Sequence, residues 1–220
     1  MSHTTPKTDC PLGSDLQRYW DRLSPKERQM SLDREALYSL SIQEVARTVA
    51  AEIRGQTVID AFCGAGGNAI ALASAGKKVI AVELDTRRLE MAQQNARLFG
   101  VSDRISFFQG DSSALMKSMK ADAVFLDMPW GGPDYYKKEQ FGLDDFKPAG
   151  SEMIRLALAL ADEVAIKLPR NFDFSQFQEL QIEVRTFEDK FNGHHLGYTA
   201  ILTKGIEQLS IPAPGPLVGE

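Results

Sequence analysis

Thr57-Val-Ile-Asp60-Ala-Phe-Cys63-Gly64-Ala-Gly66-Gly67-Asn68-Ala69 decides the fold of this chain. Thr57–Phe62 reads as a buried strand, the glycines as a tight turn, and Gly67–Ala75 as a helix. Gly64, Gly66 and Ala69 satisfy the pattern G-x-G-x-x-G/A, and Glu83 closes the next strand about where an acid meets ribose hydroxyls. NAD and S-adenosylmethionine both fit these glycines. Charge separates them, because Asp60 would repel a pyrophosphate at the helix N-terminus but suits a cofactor carrying a sulfonium and an ammonium.

Outward from this turn the chain alternates strand and helix. Lys78–Val82, Ile105–Gln109, Ala123–Leu126 and Val164–Leu168 read as further strands. Thr86–Leu98 is an amphipathic helix with Leu89, Ala92, Ala96 and Phe99 on one face, Ser112–Met119 a short helix and Ser151–Ala161 a longer one. Strands near Gln181–Asp189 and Gly197–Leu202 are joined through Asn192-Gly193, a hairpin signal. The expected fold is α/β: a mostly parallel, doubly wound Rossmann-like sheet ending in an antiparallel hairpin. Upstream, residues 1–13 read as tail. Ser14 with Gln17 and Ser41 with Glu44 match capping boxes, the second opening a helix that ends at Gly55, and Pro25 suits the first turn of a short helix. This divides the chain into a helical extension over 1–54, a catalytic domain over 55–204 and a C-terminal tail over 205–220.

Composition narrows the function. The 220 residues are 43% hydrophobic and carry 25 basic against 30 acidic groups, a net charge of −5. That balance disfavours a long nucleic-acid track, which needs a basic stripe, and favours a nucleotide or the end of a nucleic acid. No long apolar run implies a membrane span, and two cysteines imply no disulfide framework. A cytoplasmic setting is expected, or a nuclear one in a eukaryote. His194 and His195 have no partner at metal-ligand spacing, so no metal is expected. No histidine is placed to activate Cys63, which reads as a packing residue. Phe172, Phe174 and Phe177 read as core anchors, and Asn95 as structural.

The fourth strand delivers Asp127-Met128-Pro129-Trp130-Gly131-Gly132-Pro133-Asp134-Tyr135 into a long polar segment. An acid, a proline and a tryptophan at the carboxyl end of a strand, beside a cofactor turn, suit methylation of a planar amine. The lone pair of such a nitrogen is delocalised into its ring. Acceptors on Asp127 and the Met128 carbonyl can favour a pyramidal nitrogen and stabilise its developing charge. Pro129 fixes the turn, and Trp130 offers a stacking face worth about 1–3 kcal/mol. Asp111 ends the third strand, where it can either meet an adenine amine or cap the helix that follows.

Together, Asp60-Ala-Phe-Cys-Gly64-Ala-Gly66-Gly67-Asn68, Trp130-Gly-Gly-Pro-Asp-Tyr135 and Leu168-Pro-Arg-Asn171 resemble the trimethylguanosine synthase family of RNA cap guanine-N2 methyltransferases. The resemblance runs from about Tyr19 to Leu202. It implies a class I methyltransferase fold, S-adenosylmethionine, and methyl transfer to the exocyclic amine of 7-methylguanosine. It also implies that Asp60, Cys63, Gly64, Gly66, Asn68, Glu83, Leu84, Asp111, Ser112 and Ser41 hold the cofactor. Trp130, Ser39, Tyr135, Arg170 and Asn171 then fall on the substrate side, with Trp130 stacked on a cationic base. The family usually has Ser-Pro-Pro-Trp where this chain has Asp127-Met128-Pro129-Trp130, and its basic stretch after Tyr-Trp is weaker here, in Asp21–Arg28. The expected partner is a capped nucleotide or guanine-containing RNA. A guanine or adenine in rRNA, tRNA or DNA, or cap binding without catalysis, are the alternatives.

Overall fold

Apolar alternation along the central strands places side chains on both faces of one sheet. The computed structural model describes residues 9–132, 135–180 and 182–203. Pro133, Asp134, Gln181, residues 1–8 and the expected tail from Gly205 lie outside the described residues. The strands are β1 (Thr57–Asp60), β2 (Lys78–Glu83), β3 (Ile105–Gln109), β4 (Ala123–Leu126), β5 (Glu163–Leu168), β6 (Glu183–Phe191) and β7 (His194–Thr203). They form a seven-stranded sheet in the order β3-β2-β1-β4-β5-β7-β6. The pairs from β3 through β5 are parallel, and β7 joins β5 and β6 antiparallel. This is the expected α/β arrangement. Asn192 (φ 48°) and Gly193 (φ 75°) make the hairpin turn, with positive φ at both central positions as the right-handed strand twist favours.

The helices are α1 (Gln17–Trp20), α2 (Arg34–Ser39), α3 (Gln43–Glu52), α4 (Gly67–Ser74), α5 (Thr86–Phe99), α6 (Ser112–Leu115) and α7 (Gly150–Leu160). On β4, Ala123 and Phe125 join the core under α3, α4 and α5, while Val124 and Leu126 join the one built on α7 and several phenylalanines. That two-residue period fits a strand covered on both faces. Phe172 and Phe177 are buried in the second core, as expected. Among the described residues no helix is long and apolar enough to cross a membrane.

At the amino ends of the strands, polar side chains secure the entry to β1. Glu163 accepts the amides of Arg54 and Gly55 (2.9 and 3.0 Å), and Lys77 Nζ donates to the carbonyls of Ile53 and Gly55 (2.7 and 2.8 Å).

Three expectations near the N-terminus are corrected. Cys10 is buried against Leu16 and Trp20, so ordered packing begins inside the expected tail. Gln17 does not close a capping box with Ser14; its Oε1 accepts the Cys10 amide (2.8 Å), and Gly13 stands at the cap. Helix α3 begins at Gln43 with Ile42 at its cap and no side-chain cap bond, so Ser41 does not cap it. A reciprocal pair does form where none was expected: Glu27 accepts the Ser24 amide and the Ser24 hydroxyl accepts that of Glu27.

Candidate active site

The sheet order reverses between β1 and β4, and in such sheets the crevice opens at the carboxyl ends of those strands. Asp60 ends β1 and Asp127 directly follows β4. A cavity of about 950 Å³ opens there, lined from below by the strand ends and from above by the segment that includes Tyr38, Ser39, Leu40 and Ser41.

One half of the cavity is built on the glycine turn. Gly66 takes φ 93° at the head of α4, and a Cβ there would stand 3.2 Å from Ala92. Gly64, at φ 51°, faces open space. Its amide donates to Glu83 Oε2 (2.9 Å), while Glu83 Oε1 accepts the Asp85 amide (2.9 Å). Glu83 thus fixes the turn as well as lining the cavity. Leu84 is exposed beside it. Asp111 lines the cavity and also caps α6, accepting the Ala114 amide (3.0 Å), so both expected roles are geometrically open to it. The Ser113 hydroxyl bonded to Asp111 holds that carboxyl below its ordinary pKa. Ser112 gives its hydroxyl to the Ala61 carbonyl. Burial pushes the Cys63 thiol well up, which suits packing over nucleophilic use.

Asp60 lies behind this surface. It is fully buried and, like Gly66, does not line the cavity. Among the described residues neither carboxyl oxygen has a well-aligned hydrogen-bond partner, although the Phe62 and Ala69 amides lie close enough to act on it. Burial first, then the nearby Asp127 charge, pushes Asp60 up to about 8, against the pull of the Phe62 and Ala69 amides.

The other half is built around Asp127. Asn68 Nδ2 donates to its Oδ2 (2.9 Å) and the Ser41 hydroxyl approaches the same oxygen (3.3 Å). Lys167 Nζ stands 4.0 Å from Oδ2 and donates to Ser41 Oγ (2.8 Å). All three neighbours address Oδ2, and among the described residues none donates a hydrogen bond to Oδ1. The Met128 side chain is buried, and the Pro129 carbonyl accepts the Lys147 amide (3.3 Å). Trp130 meets Tyr135 edge to face with ring centroids 5.1 Å apart. Its far edge runs along β7 at Gly197, where a Cβ would come within 2.6 Å of the Leu168 carbonyl and 3.6 Å of the indole.

Apart from Asp60 and Gly66, every expected site residue lines this cavity. Ser39 does so with its hydroxyl already given to the Glu35 carbonyl (2.8 Å). Asn171 gives its amide to the Lys138 carbonyl (2.9 Å), while Arg170 is exposed. The sequence reading misses Lys167 and Asp189, both at the cavity, as well as Arg18 and Arg22, which flank the Tyr19 ring at 4.7 and 5.5 Å. Lys167 does leave a trace in the sequence, as the one charged residue in Val164-Ala-Ile-Lys167-Leu168. No group of three or more potential metal ligands occurs among the described residues.

Comparison with known proteins adds four observations. A family model described as RNA cap guanine-N2 methyltransferase matches residues 55–208. The trimethylguanosine synthase of Schizosaccharomyces pombe is 33% identical over 181 residues, 76% of this chain and 75% of that one. That of Saccharomyces cerevisiae is 34% identical over 128 residues, 55% of this chain and only 41% of its own length. Among solved structures, a putative methyltransferase from Porphyromonas gingivalis superposes with a TM-score of 0.66 at 18% identity, covering 80% of this chain and 44% of that one.

Proposed function

The chain belongs to the RNA cap guanine-N2 methyltransferase family, and we propose that it methylates the exocyclic N2 amine of a 7-methylguanosine cap-like nucleotide. S-adenosylmethionine is its cofactor, and supplies an electrophilic methyl on a sulfonium. The residues fit that group. Gly64 leaves room for close approach, Glu83 and Asp111 stand at successive strand ends for ribose and adenine, and Leu84 offers an apolar face. Asp60, buried behind the glycine turn and holding its proton up to about 8, can ionise to complement the cationic end of the cofactor when that binds. In this reading residues 55–204 are the catalytic domain and the preceding residues its roof.

The observation that carries the substrate reading is Asp127, held through Oδ2 by Asn68 and Ser41 beside Trp130. Oδ1 accepts one hydrogen of the target amine and the Met128 carbonyl the other. This draws the nitrogen lone pair out of conjugation and stabilises the positive charge that develops there. Trp130 stacks the base, and a cationic 7-methylguanine gains from its ring face. Asp127 and Trp130 leave the end of β4 in one short turn, which holds the amine in line, so positioning supplies much of the rate.

Calorimetric titration tests this with S-adenosylhomocysteine, a 7-methylguanosine dinucleotide cap analogue and GTP, followed by a methyl-transfer assay. Binding of the first two in preference to GTP, loss of cap affinity in Trp130→Ala and transfer to N2 are expected. Cofactor binding without cap preference would move the substrate to a guanine elsewhere in RNA. Transfer by Asp127→Ala at the wild-type rate would overturn the assigned role of Asp127.

A further inference from the structure

At this end of the sheet the charge of Asp127 acts on both Asp60 and Asp189, and Lys167 stands beside Asp127. β4 and β5 run parallel with Leu126 opposite Ile166, so Asp127 and Lys167 leave neighbouring strands at the same level. On its other side, Lys167 pairs in register with Thr199 of β7. The Thr199 hydroxyl spans both oxygens of Asp189 on β6 (3.0 and 3.2 Å). Asp189 and Thr199 are buried, and Lys167 and Asp127 are only 12% and 17% exposed.

We propose that Lys167 is a positioning residue for the reaction: its ammonium, beside Asp127 Oδ2 and tied to it through Ser41, holds the Asp127 carboxylate as an acceptor. This rests on the reading of Asp127 as the group that accepts the target amine. Two contacts define the device. The ammonium lies 4.0 Å from Asp127 Oδ2, and it grips the same oxygen indirectly by donating to Ser41 Oγ, which reaches Oδ2 in turn. Ser41 belongs to the N-terminal roof, so Lys167 also ties the roof to the strand ends.

The charges that face this pair are few. Asp60 faces Asp127 from β1, with Glu83 of β2 beyond it. Lys167 from β5 and His195 from β7 face Asp189. Asn68 and Ser41 are uncharged. Burial raises the Asp189 carboxyl above its ordinary value, Asp127 adds to that rise, and Lys167 opposes it. Without the ammonium the repulsion between the two carboxylates goes unopposed, and Asp189 holds its proton to higher pH. A proton on Asp127 removes an acceptor from the amine.

The test uses the full chain as wild type, Lys167→Met, Lys167→Arg and the double variant Lys167→Met/Asp189→Asn. Carboxyl-carbon NMR of the cofactor-free protein reads the protonation of Asp127 and Asp189. Initial rates across pH give kcat and KM separately. In Lys167→Met, mutually dependent titration of the two carboxyls is expected in the NMR data. Its kcat should fall at least about ten-fold at mildly acidic pH, less at alkaline pH, with the cofactor KM unchanged. Asp189→Asn on that background should recover most of the rate, and Lys167→Arg should retain it. A loss that is equal at every pH and unrelieved by Asp189→Asn would mark a merely structural lysine and overturn the proposal. So would a change confined to the nucleotide KM, the sign of direct substrate contact. The NMR arm needs no turnover, so an absence of guanine methylation by the wild type would defeat the function proposed above and leave this relationship to be decided separately.

Discussion

Glu83 and Gly64, nineteen residues apart, are joined by a 2.9 Å hydrogen bond from the glycine amide to the carboxylate, and the other carboxylate oxygen is taken by the Asp85 amide. The residue expected to meet a ribose is therefore also the brace of the turn that faces the cavity. Glu83→Gln keeps one acceptor and turns an NH₂ toward the other amide. We expect it to weaken S-adenosylhomocysteine binding by at least about ten-fold in calorimetry. Thermal unfolding should show a stability cost of about 1–3 kcal/mol, the usual range for an amide left without its acceptor.

Gly67 lies directly under the roof. A Cβ there would come within 2.7 Å of the Ser41 carbonyl and 2.9 Å of Leu40 Cδ1. Gly67→Ala should displace the segment carrying Ser41 and cost about 1–3 kcal/mol in overpacking. Its expected signature is a lowered kcat with retained far-UV circular dichroism. An alanine variant of wild-type activity would show that the roof gives way freely.

Asp60 makes stability depend on pH. In the unfolded chain its carboxyl ionises near 3.8, whereas burial in the folded chain holds the proton up to about 8. Between those values the folded state binds more protons than the unfolded one, so this group's contribution falls as pH rises and levels off above about 8. The loss is on the order of a few kcal/mol across that window. Urea midpoints should drop from mildly acidic to alkaline pH in the wild type, and Asp60→Asn should flatten the slope. Binding of cationic S-adenosylmethionine favours the ionised form, so calorimetry in buffers of different ionisation enthalpy should register proton release.

Far from the cavity, Lys77 caps the carbonyls of Ile53 and Gly55 at 2.7 and 2.8 Å. Lys77→Met leaves both without that donor. We expect about 1–3 kcal/mol lost in chemical denaturation, and unchanged kcat and KM in the molecules that remain folded.

The parts of this molecule that read clearly from sequence are those whose signal is local. The glycine turn, the alternation of strand and helix, and the Asn192-Gly193 hairpin each depend on neighbours within a few residues, and each stands where expected. The acid-proline-tryptophan turn after β4 is legible for the same reason. Ser41 reads as a helix cap because Ser41 and Glu44 have the right spacing, while its actual contacts, Asp127 and Lys167, lie 86 and 126 residues away. Lys167 leaves only the faint trace of a lone charge in an apolar strand, and Asp189, an acid in a charged hairpin, leaves none. Only the antiparallel closure of β7 on β5 brings them to one place. Cys10 reads as tail because its neighbours are polar, yet its amide bonds Gln17, its carbonyl accepts the Gly13 amide (3.2 Å), and its side chain packs with Leu16 and Trp20 in the small core of the extension.

The roof is sewn to the catalytic sheet at several points: Gln43 Nε2 donates to the Gly67 carbonyl (2.9 Å), Asn95 Nδ2 to the Ser31 carbonyl (3.0 Å), and Arg88 bonds Glu35. A modular view of the chain, with an interchangeable specificity cap on a universal engine, therefore fails here. A chimera that grafts another protein's leading segment onto residues 55–203 would inherit its strands intact but bring in a stranger at Ser41. Substrate choice and catalytic competence would then have to be re-evolved together.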